Sequence, residues 1–284
     1  MSMPRGQADD RKAYDLTDAE HDYPARGGPP DQTVLICTHP RSGSTLLGEA
    51  LYFAGGLGCP IEYFHRGFRP GLADRWRTID LPGHIRAVHR LRTDPGGVLS
   101  VKLFWPDIEE MVAELDPVRF GDLQNSAPAD VPPDTYREIA RLLEPIFPSA
   151  RYVHLERRDR VRQAVSGVAA MQTRLWRVIP EMHAAKPAGV VEYDFERIGN
   201  FIAYSDYCHA HWRNFFTAIG NMPLTLTYEE LVNDYGGTVR AMLDVLGSTA
   251  QVPPVRMHRQ SDAVNETIVL RYLRDHRDSM ADRG

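Results

Sequence analysis

Pro40-Arg41-Ser42-Gly43-Ser44-Thr45 lies between a β-branched apolar run, Thr33 to Thr38, and a stretch in which Leu46, Leu47, Leu51 and Ala54 recur at helical spacing. A strand, a short Ser/Gly loop and a helix, in that order, suit the binding of a terminal phosphate or sulfate. The loop's N–H groups and the hydroxyls of Ser42, Ser44 and Thr45 can face an anion, the positive end of the helix adds to the attraction, and Arg41 supplies full charge. Gly43 lets the backbone approach the anion without an intervening side chain.

A second segment has the same logic. Arg151 to Glu156 reads as a strand, Arg157 and Arg158 follow it, and a helix then carries Ser166. A guanidinium at a strand end and a hydroxyl two turns along the next helix can hold another phosphate. A run such as Arg157, Arg158, Arg160 and Arg162 also makes an ordinary solvated face. Two anion sites at two strand ends suit a ligand with phosphates at both ends of an adenosine.

Several chemistries are disfavoured or fail. A Walker A loop needs an earlier glycine and a lysine that this loop lacks. A cysteine-dependent phosphatase built on Cys37 would need an arginine where the chain has Gly43. The three cysteines, Cys37, Cys59 and Cys208, are too scattered for a disulfide framework or a zinc site, and no metal is expected. With 33 Lys+Arg against 38 Asp+Glu the net charge is −5, which gives no basic field for nucleic acid. No segment has the length of a membrane span, and residues 1–31 contain no signal-peptide core, so a cytoplasmic protein is expected.

The elements that must position these residues alternate. Strands are predicted at 33–38, 98–104, 151–156 and 223–227, with a short extended piece at 59–64. Helices are predicted near 43–54, 134–147 (capped by Asp134), 160–173, 196–219, 229–233, 237–246 and 258–279, and residues 66–97 read as irregular. The pattern predicts an α/β fold: a mostly parallel central sheet with helices on both faces and the ligand beyond the carboxyl ends of the strands. Residues 1–31, rich in Asp, Pro, Gly and Arg, read as a flexible arm before a single domain over 32–284.

Together these segments resemble the sulfotransferases that use 3′-phosphoadenosine 5′-phosphosulfate (PAPS), and most closely the mycobacterial trehalose 2-sulfotransferase family. The likeness covers Pro40 to Thr45, Val101-Lys102-Leu103-Phe104-Trp105, Gln163 to Ser166, Gln172-Thr173, Trp176 and Arg259-Gln260-Ser261-Asp262. It implies a P-loop-like sulfotransferase fold, PAPS as donor without a metal, a 5′-phosphosulfate loop at Arg41, Ser42, Gly43, Ser44 and Thr45, and a 3′-phosphate site at Ser166 with Arg157. Arg158 stands where the family has a small residue or proline, so either arginine is open for that role. The histidine base of the aryl and steroid enzymes is missing, since Leu103 and Phe104 follow Lys102. The resemblance instead implies Glu62, in Pro60-Ile61-Glu62-Tyr63-Phe64, as general base, with Arg41 and Lys102 stabilising charge on the leaving phosphate.

The acceptor side is expected to draw on residues 66–97 and 176–195, which hold Trp76, His84, His89, Trp176 and His183 beside His65 and Arg66. A hydroxylated small molecule, a carbohydrate or glycolipid, is the expected acceptor. Phe201, Ile202, Trp212, Phe215 and Phe216 read as core or as the contact of a homodimer. Two alternatives stay open: an ATP-dependent small-molecule phosphotransferase, and a non-catalytic nucleotide-binding protein.

Overall fold

In the computed structural model, which describes residues 14–176, 191–257 and 263–281, four parallel strands stand side by side. They are β1 (Gln32–Thr38), β2 (Val98–Phe104), β3 (Ala150–Glu156) and β4 (Leu224–Thr227), in the spatial order β2-β1-β3-β4. The chain leaves β1 for β2 on one side and returns to β3 on the other. The topological switch therefore lies beside β1, where open α/β sheets place their ligands.

The helices in chain order are α1 (Ser44–Ala54), α2 (Arg69–Trp76), α3 (Leu81–Arg92), α4 (Trp105–Leu115), α5 (Pro117–Phe120), α6 (Pro133–Leu143), α7 (Arg160–Thr173), α8 (Phe195–Ile219), α9 (Tyr228–Asn233), α10 (Tyr235–Val245) and α11 (Ala263–Ala281). None among the described residues is long and apolar enough to cross a membrane.

The two-residue period of a strand sorts the sheet into two cores. Val34, Ile36, Val153 and Leu155 pack against Leu47, Ala50 and Leu51 of α1 and against Leu231, Met242 and Leu243. Leu35, Cys37, Leu99, Val101 and Leu103 turn to the opposite face, where Trp105, Ile139, Trp212, Phe215 and Phe216 cover them. Trp212, Phe215 and Phe216 are thus core. A third cluster joins α7, α8 and α11 through Val165, Val168, Ile198, Val269 and Tyr272.

Three features differ from the sequence expectation. Residues 66–97 contain α2 and α3, because α3 buries His84, His89 and Arg92 where an amphipathic helix usually buries aliphatic residues. His84 Nε2 meets the Tyr63 carbonyl at 2.9 Å and His89 Nε2 the Ile146 carbonyl at 2.8 Å, while the Trp76 indole donates to Asp22 at 3.2 Å. These residues are structural and do not form an acceptor face. Asp134 lies in the first turn of α6, whose N-cap is Pro132. Residues 14–22, inside the segment expected as an arm, are packed, with Leu16 only 2% exposed. Fully buried Arg92 holds them: it ion-pairs with Asp22 at 2.8 Å and donates to the carbonyls of Leu16, Thr17 and Asp18 at 2.8, 3.3 and 3.2 Å. Residues 1–13, His183 and Arg259 to Asp262 lie outside the described residues.

Behind β1 and β3 lies a buried set of imidazoles. His154 Nε2 and His209 Nδ1 are 3.1 Å apart, and the His39 ring sits 6.5 Å from that of His209. Burial holds His39 down to about 3, with Arg160 adding to the effect, and His154 down to about 4. Burial also lowers His209 and takes His211 down to about 4.

Two outcomes are expected. Arg92→Ala should lower stability by about 3–5 kcal/mol, the cost of stranding a buried partner, and expose residues 14–31 to trypsin. An unchanged denaturation midpoint with an intact N-terminus would refute this clasp. The four histidines have folded-state values below the unfolded value of about 6.5, so their contribution is full above that pH and drains as pH falls toward 4. Buried Asp107 and Glu109, both raised by burial, act in the opposite sense. With each histidine lowering stability by on the order of 1–2 kcal/mol at pH 5, the urea midpoint should drop between pH 7.5 and pH 5. A midpoint that holds or rises would contradict the assignment.

Candidate functional site

The loop after β1 carries two left-handed residues, Arg41 (φ 68°) and Gly43 (φ 85°). Backbone reversals of this kind turn successive N–H groups toward one concavity, which suits an anion. For Arg41 the conformation costs about 1 kcal/mol, so the surroundings must hold it. Gln163, fully buried on α7, donates from Nε2 to the Pro40 carbonyl at 2.9 Å and to Ser42 Oγ at 3.0 Å. Ser42 Oγ donates to the His39 carbonyl at 2.8 Å, and Arg157 donates to the Arg41 carbonyl at 3.2 Å. Gly43 is required sterically as well, since a Cβ there would fall 2.8 Å from Cδ2 of Tyr228.

A cavity of about 340 Å³ opens over this loop, lined by Arg41, Gly43, Ser44, Thr45, Arg157 and Ser166 among others. Arg41 donates from Nε to Ser166 Oγ at 3.0 Å and from Nη1 to the Trp176 carbonyl. Burial, with Arg157 beside it, lowers the Arg41 guanidinium to about 10, against a small opposing effect of Tyr228. It is still charged at neutral pH. The Arg157 guanidinium lies 4.3 Å from the centre of the Tyr228 ring, at the start of α9. Two like charges held together on one wall gain from an anion placed between them. Beyond them the cavity runs over Leu231, Val255 and Val269, which suit an apolar, flat group.

The two anion segments therefore meet, but not with every residue. Ser42 lines no part of this cavity; its hydroxyl is turned into the protein, and the residue is fully buried. Arg158 points away, pairing with Glu230 at 2.9 Å, while Glu229 accepts the backbone N–H groups of Arg158 and Asp159 at 3.0 and 3.1 Å. Residues outside the expected site set also contribute. Gln163 braces the loop, Tyr228 packs over Gly43, and Arg162 on the wall forms a forked pair with Glu266 of α11 at 2.6 and 3.2 Å. Trp176, expected on the acceptor side, lines the cavity instead. Gln163 and Arg162 were visible in the sequence, one in the likeness over Gln163 to Ser166 and the other in the arginine run, whereas nothing there marked Tyr228 or Glu266.

Lys102 and Glu62 form the other half of the site. Strand alternation puts Lys102 on the face of Ser100, toward α1, where Gly48 leaves room for its stem: a Cβ there would be 3.6 Å from Lys102 Cδ. Lys102 Nζ lies 2.7 Å from Glu62 Oε1 and 3.4 Å from Thr45 Oγ1. Glu62 is placed by the segment after α1, which forms a parallel bridge to β2 at Ile61 and Val101. Tyr63 and Phe64 turn into the core, so the neighbour of the carboxylate is the lysine. An ammonium thus links a carboxylate on the β2 side to the anion loop.

Among the described residues one cluster has metal-type donors close together, His154, Glu156 and His209. Its groups are engaged: the imidazoles meet each other, and Glu156 pairs with Arg160 at 2.8 Å and Arg213 at 3.4 Å. Two guanidiniums oppose an added cation there.

Two curated trehalose 2-sulfotransferases, from Mycobacterium tuberculosis and Mycolicibacterium smegmatis, are each 28% identical to this chain. The first covers 84% of this chain and 93% of its own length, the second 85% and 94%. A crystal structure of a sulfotransferase from Alicyclobacillus acidocaldarius aligns over 88% of this chain and 93% of its own, at 16% identity and a TM-score of 0.46. The family model described as Stf0 sulphotransferase matches residues 33–275, from the first residues of β1 into α11, and the chain belongs to that family of sulfuryl-transferring enzymes.

Proposed function

We propose that this enzyme moves a sulfuryl group from PAPS to a hydroxyl of a small carbohydrate or glycolipid. The observation that carries this reading is the convergence of Arg41, Arg157 and Ser166 on a cavity whose loop is joined to Glu62 through Lys102. The 5′-phosphosulfate lies on the loop N–H groups with Arg41, and Ser44 and Thr45 supply hydroxyls. The 3′-phosphate is held by Arg157 and Ser166. The turn of Arg158 toward Glu230 favours Arg157 for that role. The protein works in the cytoplasm, which suits its three buried, unbridged cysteines.

In the transfer the acceptor oxygen attacks sulfur from the β2 side while the bond from sulfur to the bridging phosphate oxygen breaks in line. The acceptor hydroxyl gives its proton to Glu62, the new sulfur–oxygen bond makes a sulfate ester, and adenosine 3′,5′-bisphosphate leaves. Charge builds on the leaving oxygen, where Arg41, Lys102 and the loop N–H groups stabilise it. These cations supply the neutralisation that magnesium gives in ATP chemistry.

Calorimetry should show tight binding of adenosine 3′,5′-bisphosphate and weaker binding of ATP that magnesium does not improve. A preference for magnesium-ATP would overturn the donor assignment. Arg157→Ala should weaken bisphosphate binding by about tenfold or more, the loss of a charged hydrogen-bond donor. Arg158→Ala should leave it unchanged, and the opposite ranking would exchange their roles. Glu62→Gln keeps the shape beside Lys102 and should cut turnover by roughly a hundredfold or more while bisphosphate affinity stays within about twofold. Full turnover in that variant would remove Glu62 as the base.

A further inference from the structure

The sheet order separates the two substrates. The cavity of the anion loop spreads over the β1, β3 and β4 ends, under α9 and α11, whereas Glu62 and Lys102 stand at β2. The acceptor must therefore approach above β2 and β1. On that side α8 presents Tyr204, 42% exposed, with its ring 5.8 Å from that of His39 at the end of β1. The ring is fixed from below: Tyr204 stacks on Tyr207 at 5.6 Å with the planes 7° apart. The Tyr207 hydroxyl donates to Glu109, a buried carboxylate of α4 that also accepts the Trp105 indole N–H at 2.9 Å. An exposed aromatic face is thus anchored to the core through a stacked ring and a buried hydrogen-bonded carboxylate.

Its surroundings are polar. Tyr204 lies within electrostatic reach of Arg66 and Asp107, as well as Glu109. Asp107, capping α4 by accepting the Phe104 N–H at 2.9 Å, is in turn within reach of both Arg66 and Glu62. Arg66 is exposed and lies four residues beyond the proposed base. One rigid ring with charged and hydrogen-bonding groups around it does not suit a lipid tail, which needs a wide apolar wall. It suits a sugar ring, whose C–H face is weakly positive and meets the negative face of an aromatic ring, while its hydroxyls reach the polar rim.

We propose that Tyr204, backed by Tyr207 and within electrostatic reach of Arg66, is the acceptor platform, and that it binds the C–H face of a neutral sugar ring with one hydroxyl directed at Glu62. The proposal rests on the sulfuryl-transfer reading above and names the acceptor determinant within it. Tyr204 and Arg66 position the sugar; neither takes part in bond making.

The test uses the full chain, PAPS carrying a labelled sulfuryl group, and trehalose, maltose and glucose as acceptors. Adenosine 3′,5′-bisphosphate binding is measured in parallel on every variant. The expected result is transfer to at least one of these sugars. Tyr204→Ala should raise the acceptor KM about tenfold, the scale of one lost aromatic contact, with the donor KM and bisphosphate affinity unchanged. Tyr204→Phe keeps the face and should restore the acceptor KM, and exposed Arg66→Ala should raise it without loss of folding. Bound bisphosphate with no transfer to any of the three sugars overturns the platform while leaving the donor reading in place. An acceptor KM indifferent to both Tyr204→Ala and Arg66→Ala also overturns it. Failure of bisphosphate to bind the unmodified protein instead retires the sulfuryl-transfer reading itself.

Discussion

Everything at this site depends on keeping two like charges together. The Arg41 and Arg157 guanidiniums share one cavity wall, and their mutual repulsion adds to the desolvation of Arg41. A protein can hold such a pair only by fixing the backbone beneath it. The fixing groups are specific: Arg157 binds the carbonyl of Arg41, Ser166 accepts from the Arg41 side chain, and Gln163 spans Pro40 and Ser42. The left-handed turn at Arg41 is thus maintained from α7 and from the end of β3, not by the loop alone. A loop braced in this way is rigid before any ligand arrives, so an anion bound as proposed would need little reorganisation.

The second constraint is the sheet's parity. Lys102 shares a face with Ser100 because strand residues alternate, and that face looks toward α1 and the anion loop. Glu62 reaches the same lysine from a different segment, the parallel bridge beside β2. The carboxylate, the ammonium and Thr45 therefore form a row at 2.7 and 3.4 Å that crosses from the β2 side to the loop. The lysine and the carboxylate proposed as proton acceptor come from different parts of the chain, yet one strand sets their spacing.

Much of this was legible in the sequence, for identifiable reasons. The four strands are short apolar runs between clear turns, and buried parallel strands give that signal strongly. The helix at α7 was visible from its apolar spacing. The helix at α3 was hidden because histidines and an arginine occupy its inner positions, each satisfied by a backbone carbonyl or a carboxylate that only the fold supplies. The inward turn of the Ser42 hydroxyl depends on Gln163, far along the chain. The different orientations of Arg157 and Arg158 were closer to hand. Val153 and Leu155 face α1 and α9, and extending that alternation by one step turns residue 157 to the cavity and residue 158 away.

The distance in sequence between the loop and its supports has a consequence for biogenesis. The loop at 39–43 emerges early in synthesis, yet the groups that shape it, Gln163, Arg157, Ser166 and the ring of Tyr228, are made more than a hundred residues later. A nascent chain that has completed β1 and α1 has the motif without the pocket. With the donor bound as proposed, affinity would arise only once the carboxyl-terminal half has docked, so a partly made chain would sequester no nucleotide and donor binding would report a finished fold.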